Sequence, residues 1–133
     1  MTDRTFCSKI FIPSILLFLV ATLATTRDLG FINHETILMI DNHMSALVFI
    51  AMAIHSNFQS GDKTGHRIFC MIGLIFASND LVGVWGPIIA SNIDPIYLKL
   101  VFVFAVYIPL FYLKKVKGIT FKPESKKATS GTP

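Results

Sequence analysis

Charged residues are scarce in this chain, and the few present are clustered. Only 15% of the 133 residues are Asp, Glu, Lys or Arg, whereas a soluble domain usually contains about 25%. Hydrophobic residues make up 53% of the chain, and one core in a protein of this size cannot hide that much apolar surface from water. The composition therefore excludes an ordinary soluble domain, and we expect lipid to cover much of the surface.

Sequence motifs for catalysis are also missing. The chain has no Walker loop, no glycine-rich dinucleotide turn, no Cys-x-x-Cys pair and no nucleophile triad. Its four histidines are too few for a His-box desaturase or hydroxylase. No basic patch is interleaved with aromatic residues, so we expect no nucleic-acid partner. A free-standing enzyme is therefore the least favoured interpretation.

Two classes of small membrane protein are disfavoured by further absences. The first apolar run has no acidic residue, which argues against the small four-helix multidrug transporters. The chain also has no inverted internal repeat of the kind found in many transporters. Its two cysteines, Cys7 and Cys70, are both expected near the cytoplasmic side, where thiols stay reduced, so no disulfide is predicted.

Four apolar runs are long enough to cross a bilayer, which requires about 20 mostly apolar residues. They predict helices over about 10–26, 36–57, 67–86 and 95–113. Pro87 is expected to end the third helix and to leave an irregular connection from Pro87 to Asp94. The predicted fold is all-α, an integral membrane four-helix bundle over residues 1–117, followed by a basic cytoplasmic tail over 118–133 whose last dozen residues are expected to be disordered.

Lysine and arginine residues set the expected orientation. They concentrate in the N-terminal flank, in the loop between the second and third helices, and after the fourth helix. The two other loops contain only Arg27. Both termini are therefore predicted to be cytoplasmic, in a multi-pass protein of the cell membrane.

Polar side chains within the second and third helices are the candidate functional residues, because charge at the centre of a span costs about 2.5–3.5 kcal/mol. A rise of about 1.5 Å per residue places several of them at one depth, in an outer layer of Asp41, Asn42, His43, Ser78, Asn79 and Asp80. Carboxylates and an imidazole suit a divalent metal, and two carboxylates at one depth can share a proton. The candidates for such a metal or proton cluster are Asp41, His43, Asn79 and Asp80. The alternative is that these groups hydrogen-bond between helices or to neighbouring subunits.

Two further sets of residues have a predicted role. His55 and His66 flank the loop between the second and third helices and form a possible ligand pair at the cytoplasmic side, with a weak indication of haem. Gly73 and Ala77 have the small-xxx-small spacing of a close helix contact, and Gly83 lies further along the same helix.

Two stretches carry a resemblance to a known family. DNHMSALVFIAMAIHSNF begins at Asp41 and FASNDLVGVWGP begins at Phe76. Together with the chain length and the layout of helices, they resemble AmoX, the small membrane subunit encoded with archaeal ammonia monooxygenase. The resemblance covers residues from about Phe6 to Lys117.

The resemblance implies membership of a copper-dependent complex that oxidises ammonia to hydroxylamine, with catalysis in the other subunits. The catalytic copper subunit of that enzyme class places one Asp and two His at regular spacing along one helix. Here the Asp41-Asn42-His43 sequence departs from that pattern, so the resemblance assigns no copper ligand to this chain.

The leading functional hypothesis is an accessory subunit of a membrane-bound oxidoreductase complex. Four short helices enclose too little space for a substrate cavity, and partner helices would complete the polar groups that the bundle leaves unsatisfied. Its expected partners are other integral membrane subunits and lipid, and copper would belong to the complex. The alternatives are a membrane anchor that binds haem or quinone, and a small proton or ion transporter.

Overall fold

Four long helices make up most of the computed structural model, which describes residues 2–27, 30–61 and 63–122. They are α1, Asp3–Thr25; α2, His34–Asn57; α3, Thr64–Ile89; and α4, Pro95–Lys115. Each is long and apolar enough to cross a membrane. The prediction of an all-helical chain with four candidate membrane spans is confirmed.

Three of the four helices start at a residue whose side chain caps the first turn. The Thr2 hydroxyl accepts a hydrogen bond from the Thr5 N–H, the Asn33 side chain accepts one from Glu35, and the Asp94 side chain accepts one from Ile96. Such caps satisfy backbone donors that have no partner within the helix. Because of these caps, α1 starts at Asp3 and α2 starts at His34, earlier than the apolar runs alone predicted.

The early part of α1 contains a wide turn. Residues Cys7–Phe11 form a π-helical turn, and the N–H of Ile12 donates to the carbonyl of Cys7. Pro13 follows at once and has no N–H to donate, so the irregular turn lies where the proline interrupts the α-helical bonding pattern. The helix continues through it to Thr25 as a segment of 23 residues.

The third helix extends three residues beyond its predicted end at about Gly86. Helix α3 continues to Ile89, and the N–H of Ala90 donates to the carbonyl of Gly86 at 2.9 Å. This far along the helix, proline removes only its own N–H bond, and the next turn closes around it. The connection to α4 is therefore confined to residues 90–94.

The helices pack mainly against their neighbours in sequence: α1 on α2, α2 on α3, and α3 on α4. The central core joins α2, α3 and α4 through five buried side chains: Ala53, Cys70, Leu74, Val103 and Leu110. Helix α4 contributes only Val103 and Leu110 to the buried residues. Most of its surface is left facing outward.

The segment after α4 folds back onto the helices as far as it is described. Gly118 has φ +68°, a left-handed conformation that glycine adopts without strain. The N–H of Phe121 then donates to the carbonyl of Phe58 at 2.8 Å. The apolar ring of Phe121 packs against the rings of Phe6 and His55. The predicted disorder of the last dozen residues falls on a segment of which only Lys122 is described, and residues 123–133 lie outside the described part.

The start of α1, the α2–α3 connection and the end of α4 lie together, and we call this the basic end. It gathers Arg4, Lys9, Lys63, Arg67, Lys114, Lys115, Lys117 and Lys122. The opposite end carries only Arg27 and Lys99 among the lysines and arginines of the described residues.

Candidate functional sites at the two ends of the helices

Gly73 forms the closest contact between α2 and α3. A Cβ atom built at this position would lie 2.7 Å from the carbonyl oxygen of Phe49 and 3.2 Å from the Cβ of Ala53. Ala77, one turn further along α3, is fully buried. Gly83 does not share this contact, since it is exposed and nothing lies within 4 Å of the corresponding position. The tight part of the interface is therefore Gly73 and Ala77.

His43 is held in one tautomer near the opposite end. The Trp85 indole N–H donates to Nε2 of His43 at 2.7 Å. Because Nε2 accepts, Nδ1 carries the proton, and it lies 2.7 Å from the carbonyl oxygen of Met39. Both ring nitrogens are used, so His43 can bind a metal only by breaking one of these bonds.

The other predicted outer-layer candidates point to different neighbours. The Thr22 hydroxyl of α1 donates to Oδ1 of Asp41 at 2.8 Å. The Lys99 ammonium of α4 donates to the side-chain oxygen of Asn79 at 2.8 Å. Oδ2 of Asp80 is buried and has no hydrogen-bond partner among the described residues. The structure does not bring Asp41, His43 and Asp80 into one group of metal-ligand atoms within the described residues.

Lys99 is the unusual member of this layer. It lies about 6 Å along α4 from Pro95, and Asn79 lies about 15 Å along α3 from Ile89, at about 1.5 Å per residue. The Lys99 side chain therefore reaches toward the middle of the helices to meet Asn79. The pair is on an exposed face, and Lys99 has no carboxylate partner within the described part of the chain.

A second polar cluster at the basic end joins the start of α1 to α2. Nε2 of His55 lies 2.5 Å from Oδ1 of Asp3, and the Cys7 thiol donates to the same oxygen at 3.6 Å. The amide nitrogen of Gln59 lies 2.9 Å from Nε2 of His55. The sequence predicted a role for His55 but missed Asp3 and Cys7, because the first helix was expected to begin only at Ile10.

Three phenylalanine rings surround the His55 ring. The centroids of Phe6, Phe11 and Phe121 lie 5.9, 6.1 and 5.6 Å from it. His66, the predicted partner of His55, instead lines a separate cleft between α3 and α4. The hydrogen bond from His55 to Asp3 uses the nitrogen that a haem iron would most readily take, so the weak haem indication gains no support.

Asp3, Cys7 and His55 are also the one group of three potential metal ligands among the described residues, with ligand atoms within 4.8 Å of one another. Their oxygen, sulfur and nitrogen atoms are a donor set that zinc uses. Two ligands of one tetrahedral zinc lie about 3.3 Å apart, given bonds of about 2.0–2.1 Å. The 2.5 Å separation of Asp3 and His55 is shorter than this, so the geometry is that of a hydrogen bond that ties α1 to α2.

Asp3→Ala is expected to expose the Cys7 thiol. The carboxylate is the acceptor of the thiol proton and joins the first turn of α1 to His55, so its loss releases this turn. The Cys7 thiol should then react with a water-soluble maleimide several times faster in the variant. Cys70 is fully buried and is the internal control; an unchanged Cys7 rate, or an equal rise at Cys70, would contradict the role of Asp3.

Comparison with known proteins identifies no relative. No protein-family model, no curated protein and no solved structure matches the chain. Its function is therefore inferred from its own residues and their contacts.

Proposed function

We propose that the chain is a non-catalytic subunit of a membrane-bound oxidoreductase complex. Its partners are other integral membrane subunits, which pack against the face of α3 that carries Asn79 and against the adjoining side of α4. The observation that carries this proposal is the Lys99–Asn79 pair. It places, on an exposed face of apolar helices, a cation that has no carboxylate partner among the described residues.

The exposed face of α3 around Asn79 has the residue spacing of a helix-packing surface. Ile68, Ile72 and Ile75 are 36–52% exposed and, together with the exposed Asn79, they recur every three or four residues, so they lie along one stripe. Lipid tails can cover such a stripe, but they offer no partner to an ammonium group. A neighbouring helix that carries an Asp or Glu covers the stripe and also neutralises Lys99.

An apolar groove between α3 and α4 lies beside this stripe. It has a volume of about 370 Å³ and is lined by seven residues: Leu81, Val82, Trp85, Gly86, Ile89, Leu98 and Phe102. The groove continues the apolar surface toward the end of α3, where a bulky side chain of a partner helix fits. Lys99 then supplies the polar specificity within a largely apolar contact.

Catalysis is assigned to the partner subunits. His43 uses both ring nitrogens for hydrogen bonds, and Asp41 and Asn79 are bonded to other helices. These side chains hold the helices together, the role that was the alternative to a metal or proton cluster. Any copper of the complex therefore belongs to the partners.

The finer form of the proposal is a subunit of an archaeal-type, copper-dependent ammonia monooxygenase. It is supported by the resemblance of the segments that begin at Asp41 and Phe76 to AmoX. The concentration of lysine and arginine at the basic end supports a cell-membrane protein with both termini in the cytoplasm.

Photo-crosslinking in native membranes tests the proposal. A photoreactive amino acid at Ile75 (51% exposed), one turn from Asn79 on the same face of α3, should form an adduct with an integral membrane subunit of an oxidoreductase that has a carboxylate within its membrane span. The matched control is Leu19, which is similarly exposed, at 51%, but lies on α1. Adducts with lipid alone at Ile75, as expected at a lipid-facing control, would contradict the proposal.

A further inference from the structure

Two pairs of polar side chains meet where the start of α1 packs against the end of α2. Asp3 and Cys7 are four residues apart in the first turns of α1, so they lie on one face of the helix. His55 and Gln59 are also four residues apart, and their side chains are in contact at the end of α2. The two pairs bring carboxylate, thiol, imidazole and amide groups together from distant parts of the chain.

The distances between the potential ligand atoms are close to those of a zinc site. Oδ1 of Asp3 lies 3.6 Å from Sγ of Cys7, and a sulfur and an oxygen ligand of one tetrahedral zinc lie about 3.6 Å apart. The separation of Asp3 and His55 is that of a hydrogen bond, and it would have to widen from 2.5 Å to about 3.3 Å. The Asp3 side chain is 45% exposed, so its carboxylate has room to rotate by this amount.

The electrostatics of the cluster suit a divalent cation even at the basic end. The Asp3 carboxylate and the Cys7 thiolate supply two negative charges, which balance the two positive charges of Zn²⁺ when the imidazole ligand is neutral. His55 lies in the last turn of α2, where the helix dipole favours positive charge. A zinc ion bound by these three groups therefore adds no net charge, and the surrounding lysines and arginines repel it little.

The hydrogen bonds within the cluster are in conflict at one atom. Nε2 of His55 lies 2.5 Å from Oδ1 of Asp3 and 2.9 Å from the amide nitrogen of Gln59. A ring nitrogen carries either a proton or a lone pair, so Nε2 cannot donate to Asp3 and accept from Gln59 at the same time. A metal ion on the Nε2 lone pair removes this conflict, and the Gln59 amide is then free to donate to the carboxylate, as outer partners of metal ligands commonly do.

We propose that Asp3, Cys7 and His55 bind a zinc ion that fastens the start of α1 to the end of α2. The thiol proton is released to water as the zinc binds, and a water molecule takes the fourth position, as in other zinc sites with three protein ligands. The rings of Phe6 and Phe121 pack around His55 and provide an apolar shell, while the exposed part of Asp3 leaves a path for the ion. This site is independent of Lys99 and of the partner subunits.

Zinc binding by the full chain, purified in mild detergent without a histidine tag and stripped with a chelator, tests the site. Competition with a chromogenic zinc indicator should give one zinc per chain. Cys7→Ser and His55→Gln should each weaken binding by about tenfold or more, since even the loss of an outer partner of a metal ligand costs about 10–100-fold. His34→Gln is the matched control, because His34 is exposed at the start of α2 and lies outside the cluster.

Two further measurements separate zinc binding from the hydrogen bonds of the cluster. Cys7→Ser keeps a hydroxyl that can donate to Asp3, so its helicity by circular dichroism should be unchanged. Cobalt(II) added in place of zinc should show a sulfur-to-metal charge-transfer absorption that is lost in Cys7→Ser, and zinc should slow the reaction of Cys7 with maleimide while the buried Cys70 is unaffected. No saturable zinc binding by the helical chain, an unchanged affinity in Cys7→Ser, or an equal loss in His34→Gln would overturn the proposal.

Discussion

Gly73→Val is expected to separate α2 from α3 and to lower the thermal midpoint of the purified chain by about 10 °C, which corresponds to about 3 kcal/mol. Even a Cβ at this position would lie 2.7 Å from a backbone oxygen of α2. A backbone carbonyl within a helix cannot rotate away as a side chain can, so the helices themselves must move apart. Circular dichroism during heating in detergent measures the change.

Gly83→Val is the matched control for this substitution. The same isopropyl group is added to the same helix, but nothing lies within 4 Å of the new Cβ. The thermal midpoint of this variant should stay close to that of the unchanged protein. Similar midpoints for the two variants would show that the tight α2–α3 contact at Gly73 is not a determinant of stability.

Lys99→Met is expected to release the chain from its complex. Methionine keeps much of the length and apolar stem of lysine but removes the ammonium, so a partner carboxylate would be left unpaired in the membrane. Truncating one member of a buried charge pair costs about 2 kcal/mol or more, which is a loss of about 30-fold in affinity. The fraction of the chain that co-migrates with its partners in native electrophoresis measures this loss.

Two further variants make the Lys99 test specific. Lys99→Arg keeps the positive charge and should preserve most of the complex. Lys117→Met removes an exposed charge beyond the end of α4 and should have no effect. If Lys99→Met co-migrated as fully as Lys117→Met, the proposed partner carboxylate would be ruled out.

The number and approximate positions of the helices could be predicted because the bilayer sets the length of an apolar span. The ends could not be predicted as well. The first turns of α1 contain Asp3, Arg4 and Lys9, which break the apolar pattern that marked the span. The end of α3 was also misplaced. Pro87 predicted the end of this helix, but the helix continues past it to Ile89.

The predicted outer layer shows a second limit of prediction from sequence, which concerns the direction that a side chain faces. Spacing along a helix fixes the depth of a side chain, but the direction that it faces depends on the rotation of each helix and on side-chain rotamers. Asp41 faces α1, Asn79 faces α4, and only His43 bonds across the α2–α3 pair, to Trp85. Residues of similar depth therefore have different partners, and no metal-ligand group forms among Asp41, His43 and Asp80.

The contact between Asp3 and His55 was beyond prediction for a related reason. The two residues are 52 positions apart, and their meeting depends on how α1 packs against α2. A polar residue just outside an apolar run gave no sign that it would pair with a histidine. Phe121 likewise lies in a segment that the sequence predicts to be a basic tail. In the structure its ring packs against the ring of His55.

The most direct test of the proposed function is the native mass of the full chain extracted from its own membranes in mild detergent, with mass spectrometry of whatever accompanies it. A subunit should migrate in a complex several times its own mass of 14.8 kDa, together with integral membrane oxidoreductase subunits. A fully helical chain that migrates alone, with no protein bound to the face around Lys99, would contradict the account.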